Sequence, residues 1–271
     1  MDQKKTVVVS LVALATAAML YYTWLKTKAV GLSEKNSRSL SFSTSYCSTG
    51  LSGMDYSLPA TEQGFYSDAQ MAQISSKIAN IRAQYGDLIA NTENLTRVPQ
   101  SVITSFIFIE SAGNPSITSG NAVGLMQVGS NSATDIVLME YKQGRLGDGE
   151  TAILKNSLGT RIDSILAMRS LGTAQYITKD DLLDPELNIL IGSMLLGQLI
   201  DESIQQDGTL RMDKVVVRYN MGYYAYSRGK TLPTTVADTI NTVNSTTSQY
   251  IVKLIGKNGV LELLESEKCG Q

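Results

Sequence analysis

One glutamate ends an otherwise apolar helical row and is placed to transfer protons. Residues 102–115 read VITSFIFIESAGNP, in which Ile103, Ile107 and Glu110 follow the 3.6-residue period of a helix. Gly113 and the Asn-Pro step after it end this helix, so Glu110 lies in the last turn, where the helix dipole disfavours an anion. Apolar neighbours and the dipole both raise a carboxyl pKa, and a carboxyl protonated near neutral pH can act as a general acid. The alternative interpretation is a surface glutamate at a helix end.

The chain of 271 residues contains no histidine. This absence excludes Ser-His-Asp triads, Cys-His pairs, HExxH zinc sites and phosphohistidine carriers. Proton transfer would therefore fall to Asp, Glu, Lys, Tyr or Cys, and carboxylate-driven glycoside cleavage meets that restriction. A formal net charge of −2 lacks the basic footprint of a nucleic-acid-binding protein. We expect no nucleic-acid partner, no metal and no cofactor.

Four sequence blocks occur in a fixed order. The first runs from Glu110 and reads ESAGNPSITSGNAVGLMQV; the second, DPELNILIGSMLLGQLI, starts at Asp184. The third is VVRYNMG with Tyr219, and the fourth is the Tyr-Ile-Val step that begins at Tyr250. Together they resemble the soluble lytic transglycosylase family, whose fold is that of goose-type lysozyme. The resemblance implies a mostly α, lysozyme-like catalytic domain.

The resemblance also implies a mechanism. Glu110 would protonate the oxygen of the β-1,4 bond between N-acetylmuramic acid and N-acetylglucosamine in peptidoglycan. It would then accept the proton of the muramyl C6 hydroxyl, which attacks C1 and closes a 1,6-anhydro ring without water or a second carboxylate. Further side chains would contact substrate: Ser119 orienting the muramyl group, Met126 and Gln127 lining the cleft, Tyr219 and Asn220 holding the sugars, Tyr250 bonding near the Glu110 carboxyl, and Glu186 as an additional cleft residue.

Several of these residues also have a purely structural interpretation. Met126 fits an apolar core, and Tyr219 continues the apolar stripe of its helix. Asp184 is placed to cap a helix. Three tyrosines farther along either stack on sugar faces or form a solvent-facing loop: Tyr223, Tyr224 and Tyr226.

Two other functions remain open at this point. A goose-type lysozyme would need a carboxylate that activates water, and Asp135 or Glu140 is close enough in sequence to Gln127 to be considered. A non-catalytic glycan-binding or assembly module is the second alternative. The chain also departs from the family pattern by an insertion over about residues 130–183, which leaves endo versus exo action open, and by Arg218 where a small residue is common.

Helical periodicity dominates from residue 67 onwards, so we assign residues 67–271 to one mostly α catalytic domain. Pro99 is well placed to start the helix that carries Glu110. The other predicted helices cover residues 68–90, 184–200, 210–220 and 236–256.

The N-terminal region has a different character. After a short tail of residues 1–5, the run 6–25 contains no charge, glycine or proline and would span roughly 30 Å as a helix, about the apolar thickness of a bilayer. We interpret it as a transmembrane anchor; a cleaved signal sequence and a buried core helix are the alternatives. Lysines flank both sides, so the orientation, with the catalytic domain outside the cytoplasm, follows from the function alone.

Residues 26–66 are rich in serine and glycine and predict a flexible linker, although packing against the domain is the alternative. Cys47 and Cys269 form either one disulfide or two free thiols. The expected partners are peptidoglycan strands, the bilayer through residues 6–25, and an envelope or virion complex. Wall turnover, local wall opening for a secretion or conjugation apparatus, and phage entry are all compatible with this organisation.

Overall fold

Ten α-helices dominate the part of the chain that the computed structural model describes, residues 58–172, 174–222 and 232–269. They surround one apolar core, which confirms the prediction of a mostly α domain. The helices are α1 (Asp68–Thr96), α2 (Gln100–Ser111), α3 (Ser130–Lys142), α4 (Asp148–Leu158), α5 (Arg161–Leu166), α6 (Pro185–Asp201), α7 (Met212–Met221), α8 (Val236–Thr242), α9 (Ser245–Ile255) and α10 (Val260–Cys269).

Among the described residues, the strands are short and form two small sheets. A three-stranded antiparallel sheet follows α2 and is formed by β2 (Thr118–Ser119), β3 (Ala122–Val123) and β4 (Val128–Gly129). The parallel pair of β1 (Thr61–Gly64) and β5 (Gly256–Lys257) joins the two ends of the domain.

Helix α2 runs through the interior and carries Glu110 at its end. It packs against α1, α9 and α10, and nearly every side chain before its last turn is buried. Pro99 precedes it as the N-cap, as predicted. The observed C-cap is Ala112, one residue before the predicted Gly113. Ala112 adopts the left-handed conformation (φ 50°) and donates its N–H to Phe108 O. Gly113 also has a positive φ, and a Cβ there would lie 2.8 Å from Ile81 Cγ1.

The predicted helices differ from the structure in several respects. The helix predicted over 236–256 is two helices, because the Asn244 side chain caps α9 by accepting from the Thr247 N–H at 2.9 Å. The helix predicted to end at residue 90 continues to Thr96 as α1. Helix α10 was not predicted.

The last residues assigned to the linker belong to the domain. The Ala60 N–H donates to Ile255 O at 2.7 Å, and Leu58 and Tyr66 pack against the core. Residues 58–66 therefore pack against the domain, which was the alternative to a flexible linker for this part of the chain. Cys47 and the proposed membrane segment 6–25 lie outside the described residues. Within the described residues, no helix is both long and apolar enough to cross a bilayer.

Residues 130–183, which the sequence predicts to be an insertion, are built into the core. Helix α3 packs against α6, and α4 and α5 follow it. A bidentate ion pair from the Arg161 guanidinium to Asp181 closes the C-terminal part of this segment, at 2.6 and 2.7 Å. The buried Thr134 hydroxyl accepts the N–H groups of Tyr176 and Ile177. The segment therefore forms one side of the domain rather than an appendage.

Candidate active site

The Glu110 carboxyl is held where α2 and α9 meet. The Tyr250 hydroxyl on α9 donates to Glu110 Oε1 at 2.7 Å. Burial raises the pKa of Glu110 to about 7, while the hydrogen bond from Tyr250 lowers it. The carboxyl is thus substantially protonated near neutral pH, as a general acid must be.

Two tyrosines, Tyr250 buried and Tyr219 half-buried, flank the ring of Phe106, which lies one turn before Glu110 on α2. The Tyr219 and Tyr250 ring centroids are 4.8 and 5.8 Å from that of Phe106. The Tyr219 hydroxyl donates to Met126 O at 2.6 Å. Burial, and secondarily the charge of Glu110, raises the pKa of both phenols well above the usual value, so both remain hydrogen-bond donors.

The turn that contains Gly-Leu-Met-Gln connects β3 to β4. Gln127 has a positive φ of 47°, and its Nε2 donates to Ile117 O at 3.1 Å and Gly124 O at 2.9 Å. These two acceptors fix the orientation of the amide, so Oε1 is the acceptor that remains.

Asn188 on α6 clamps this turn from below, a role that sequence analysis missed. Its Oδ1 accepts from Met126 N–H at 2.8 Å, and its Nδ2 donates to Val123 O and Leu182 O at 2.8 and 2.9 Å. A Cβ at Gly124, where φ is 79°, would lie 2.4 Å from Asn188 Nδ2. The signal available in sequence was a polar residue in the apolar block DPELNILIGSMLLGQLI.

A cavity of about 530 Å³ lies beside this turn. Its wall includes four predicted substrate-binding residues: Ser119, Gln127, Tyr219 and Asn220. Ser119 and Asn220 are exposed, and Asn220 Oδ1 accepts from the Thr247 hydroxyl at 2.7 Å. Glu110 is not part of the wall, but Tyr219 is, and its ring packs against Phe106, one turn before Glu110 on α2.

The other predicted site residues lie elsewhere. The Met126 side chain is fully buried against Gly192. Met126 is therefore a core residue, and the prediction that its side chain lines the cleft is wrong. Glu186 is half-buried in the first turn of α6 and is not on the cavity wall. Asp184 caps that helix, as expected, by accepting from the Glu186 N–H at 2.9 Å. Tyr223, Tyr224 and Tyr226 lie outside the described residues.

The two acidic residues considered for a hydrolase have different surroundings. Glu140 is buried, pairs with Arg145 at 2.7 Å and accepts from Gln198 Nε2 at 2.9 Å. Asp135 lies on the cavity wall and accepts from the Gly172 N–H at 2.8 Å. Among the described residues, no cluster of His, Cys, Asp or Glu side chains is suited to hold a metal ion.

Comparison with known proteins agrees with this geometry. Residues 87–154 match the family described as Transglycosylase SLT domain. In this range the chain is similar to an SLT domain. The matched range contains Glu110, Ser119 and Gln127, whereas Tyr219 and Tyr250 are contributed by chain that follows it.

A similar curated protein is the membrane-bound lytic murein transglycosylase E of Buchnera aphidicola subsp. Acyrthosiphon pisum (strain APS). It is 29% identical to this chain over 185 residues, which are 67% of this chain and 68% of the relative. No solved structure matches the chain.

Proposed function

We propose that this protein is a lytic transglycosylase that cleaves the β-1,4 bond between N-acetylmuramic acid and N-acetylglucosamine in peptidoglycan. The observation that carries the proposal is the buried Glu110 carboxyl, whose pKa burial raises to about 7 and whose Oε1 the Tyr250 hydroxyl holds at 2.7 Å. The SLT match and the lytic murein transglycosylase among its relatives supply the reaction class.

Glu110 acts first as an acid and then as a base. Its proton passes to the glycosidic oxygen as the bond to C1 breaks, and the N-acetylglucosamine leaves with a free hydroxyl. The Glu110 carboxylate then takes the proton of the muramyl C6 hydroxyl, whose oxygen bonds to C1 and gives a 1,6-anhydromuramyl end. Atoms balance without water, so a second carboxylate is not needed, in contrast to paired-carboxylate glycosidases.

The positioning residues act on either side of that carboxyl. Tyr250 holds Glu110 Oε1 through its hydroxyl, which orients the other oxygen and stabilises the carboxylate formed midway. Ser119, Gln127 and Asn220 offer hydroxyl and amide groups on the cavity wall for the sugars. Tyr219 presents its ring there, since its hydroxyl is bonded to Met126 O.

The test is mass spectrometry of the soluble products that the purified chain releases from peptidoglycan, with Glu110→Gln in parallel. Muropeptides with 1,6-anhydro ends should appear with the wild type and fall by a factor of at least about 10² in the variant, the usual contribution of a general acid. Glu62→Gln, a change of an exposed glutamate on β1, is the matched control and should keep full activity.

A goose-type hydrolase is the second candidate, favoured by the Asp135 carboxyl on the cavity wall. Glu140 is a poor candidate because Arg145 and Gln198 already occupy its carboxylate. Reducing muramyl ends that disappear in Asp135→Asn would establish hydrolysis in place of transglycosylation. Absence of any soluble product from the wild type would instead support a glycan-binding or assembly module.

We further propose that residues 6–25 anchor residues 58–269 to a membrane on its extracytoplasmic side, through a linker that ends near residue 57. The support is the uncharged run itself and the relative described as membrane-bound. Such an enzyme would serve wall remodelling, or local wall opening for a secretion or conjugation apparatus or for phage entry. The anchor is tested by carbonate extraction of membranes: loss of the chain from the membrane pellet would contradict it.

A further inference from the structure

Part of the cavity wall is formed by α3 and α6. Asn131, Asp135 and Met139 lie at successive i, i+4 positions of α3, so they share one face, and all three line the cavity. Leu195 and Gln198 of α6 complete this part of the wall. The predicted sugar-binding residues line the same cavity, so a group attached to a bound sugar can reach this part of the wall.

Gln198 presents an acceptor that nothing in the described structure satisfies. The residue is 2% exposed, and its Oε1 is buried with no hydrogen-bond partner. Its Nε2 donates to Glu140 Oε1 at 2.9 Å and to Ile136 O at 3.4 Å. Because both neighbours are acceptors, the amide cannot be turned over, and Oε1 requires a donor from another source. An acceptor left unsatisfied in this way destabilises the unliganded protein.

Asp135 adds a negative charge to the same wall. Its side chain is buried (5% exposed), its Oδ1 accepts from the Gly172 N–H, and it forms no ion pair within the described residues. None of the described residues on the cavity wall is a lysine or arginine. A buried carboxylate without a cation favours a positively charged partner that brings its own hydrogen-bond donors.

We propose that Asp135 and Gln198 bind a primary ammonium group carried by the peptide stem of the wall substrate, the side-chain amine of a diamino acid. An ammonium offers three donors, which suits the Asp135 carboxylate and Gln198 Oε1 together. The methylene chain that bears the amine would pack on Ile136, Met139 and Leu195. This inference rests on the proposed peptidoglycan substrate, and it makes this α3–α6 wall a specificity element that selects stems with an uncrosslinked amine.

The test compares two soluble disaccharide-tetrapeptides, one with a free side-chain amine at the third stem residue and one with that amine acetylated. Binding to the full chain is measured by calorimetry in the Glu110→Gln background, so that no ligand is consumed. The free-amine ligand should bind roughly tenfold or more tightly than its acetylated twin, the usual effect of one charge-assisted hydrogen bond.

The variant Asp135→Asn should remove this preference, because the amide keeps the Gly172 contact but loses the charge. Asp87→Asn, the same change at an exposed position of α1, should preserve it. Equal binding of both ligands to the parent chain, or no binding of either, overturns the proposal without need of any Asp135 variant. Amine preference in a chain that releases no anhydro products would refute the proposed reaction and leave this site standing.

Discussion

At the scale of single residues, the surroundings of Glu110 make its ionisation unfavourable, which suits the role proposed for it. Burial moves its pKa upward, and the Tyr250 hydrogen bond moves it part of the way back. The two effects together leave the carboxyl able to give up its proton and to take one near neutral pH, which a reaction with an acid step and a base step requires.

The pH dependence of the activity should show this balance. A general acid with a pKa of about 7 loses its proton as the pH rises, so kcat/KM should fall above about pH 7. Tyr250→Phe removes the hydrogen bond that lowers the pKa, so the alkaline limb should move to higher pH. Rates of anhydromuropeptide release measured from pH 5 to 9 would test both statements. A limb that stays in place or moves to lower pH in Tyr250→Phe contradicts this account.

Sequence reasoning found Glu110 and Tyr250 but missed the role of Asn188. The first two belong to sequence blocks whose order is visible, and an acid after an apolar row has a clear chemical meaning. Asn188 acts by bonding to Met126 and Val123, which are 62 and 65 residues away. No local period reveals such partners, since they are defined only once α6 has packed against the turn.

At the scale of elements, the site depends on how closely α6 approaches the turn between β3 and β4. Gly124 and Gly192 allow that approach: a Cβ at Gly192 would lie 2.6 Å from Met126 Sδ. The same close contact explains why Met126 is core and presents its carbonyl, not its side chain, to Tyr219. Helix positions were largely predictable from periodicity, whereas the break between α8 and α9 was not, because one asparagine cap caused it.

Gly124→Ala should therefore destabilise the fold far more than Gly120→Ala. Both glycines have positive φ, but a Cβ at Gly120 meets nothing within 4 Å, whereas at Gly124 it meets Asn188 Nδ2 and Leu182 O. Gly120→Ala introduces the same backbone strain as Gly124→Ala. The additional loss of unfolding free energy in Gly124→Ala therefore reports the steric overlap with α6 and Leu182, and it should be about 1–3 kcal/mol. Urea unfolding of both variants measures the two losses of stability. Equal losses would contradict the close contact between Gly124 and Asn188.

At the scale of the whole molecule, the raised pKa of Glu110 lowers the stability of the folded chain at neutral and alkaline pH. Glu110 ionises at about pH 7 in the folded chain against an ordinary value of 4.5, so the unfolded chain releases this proton first. The free energy of unfolding therefore falls as pH rises from about 4.5 to about 7, and the penalty is fully present above that window.

Glu110→Gln should relieve this penalty while it abolishes activity. Above pH 7 the variant should be more stable than the wild type by on the order of 3 kcal/mol, the linkage value of that pKa difference, with the gap closing towards pH 4.5. Chemical denaturation at pH 4.5, 6 and 8 measures it. A gap that does not change with pH would assign the stability difference to packing instead of ionisation.

The hydrogen bond between Glu110 and Tyr250 joins residues 140 positions apart, and β1 finds its partner only in β5. During synthesis the chain thus acquires its acid early and the group that holds it late. An incomplete chain, stalled before Tyr250, would carry the Glu110 side chain without its tyrosine donor and without the strand that closes the domain. The order of translation therefore makes assembly of this site one of the last events in the synthesis of the domain.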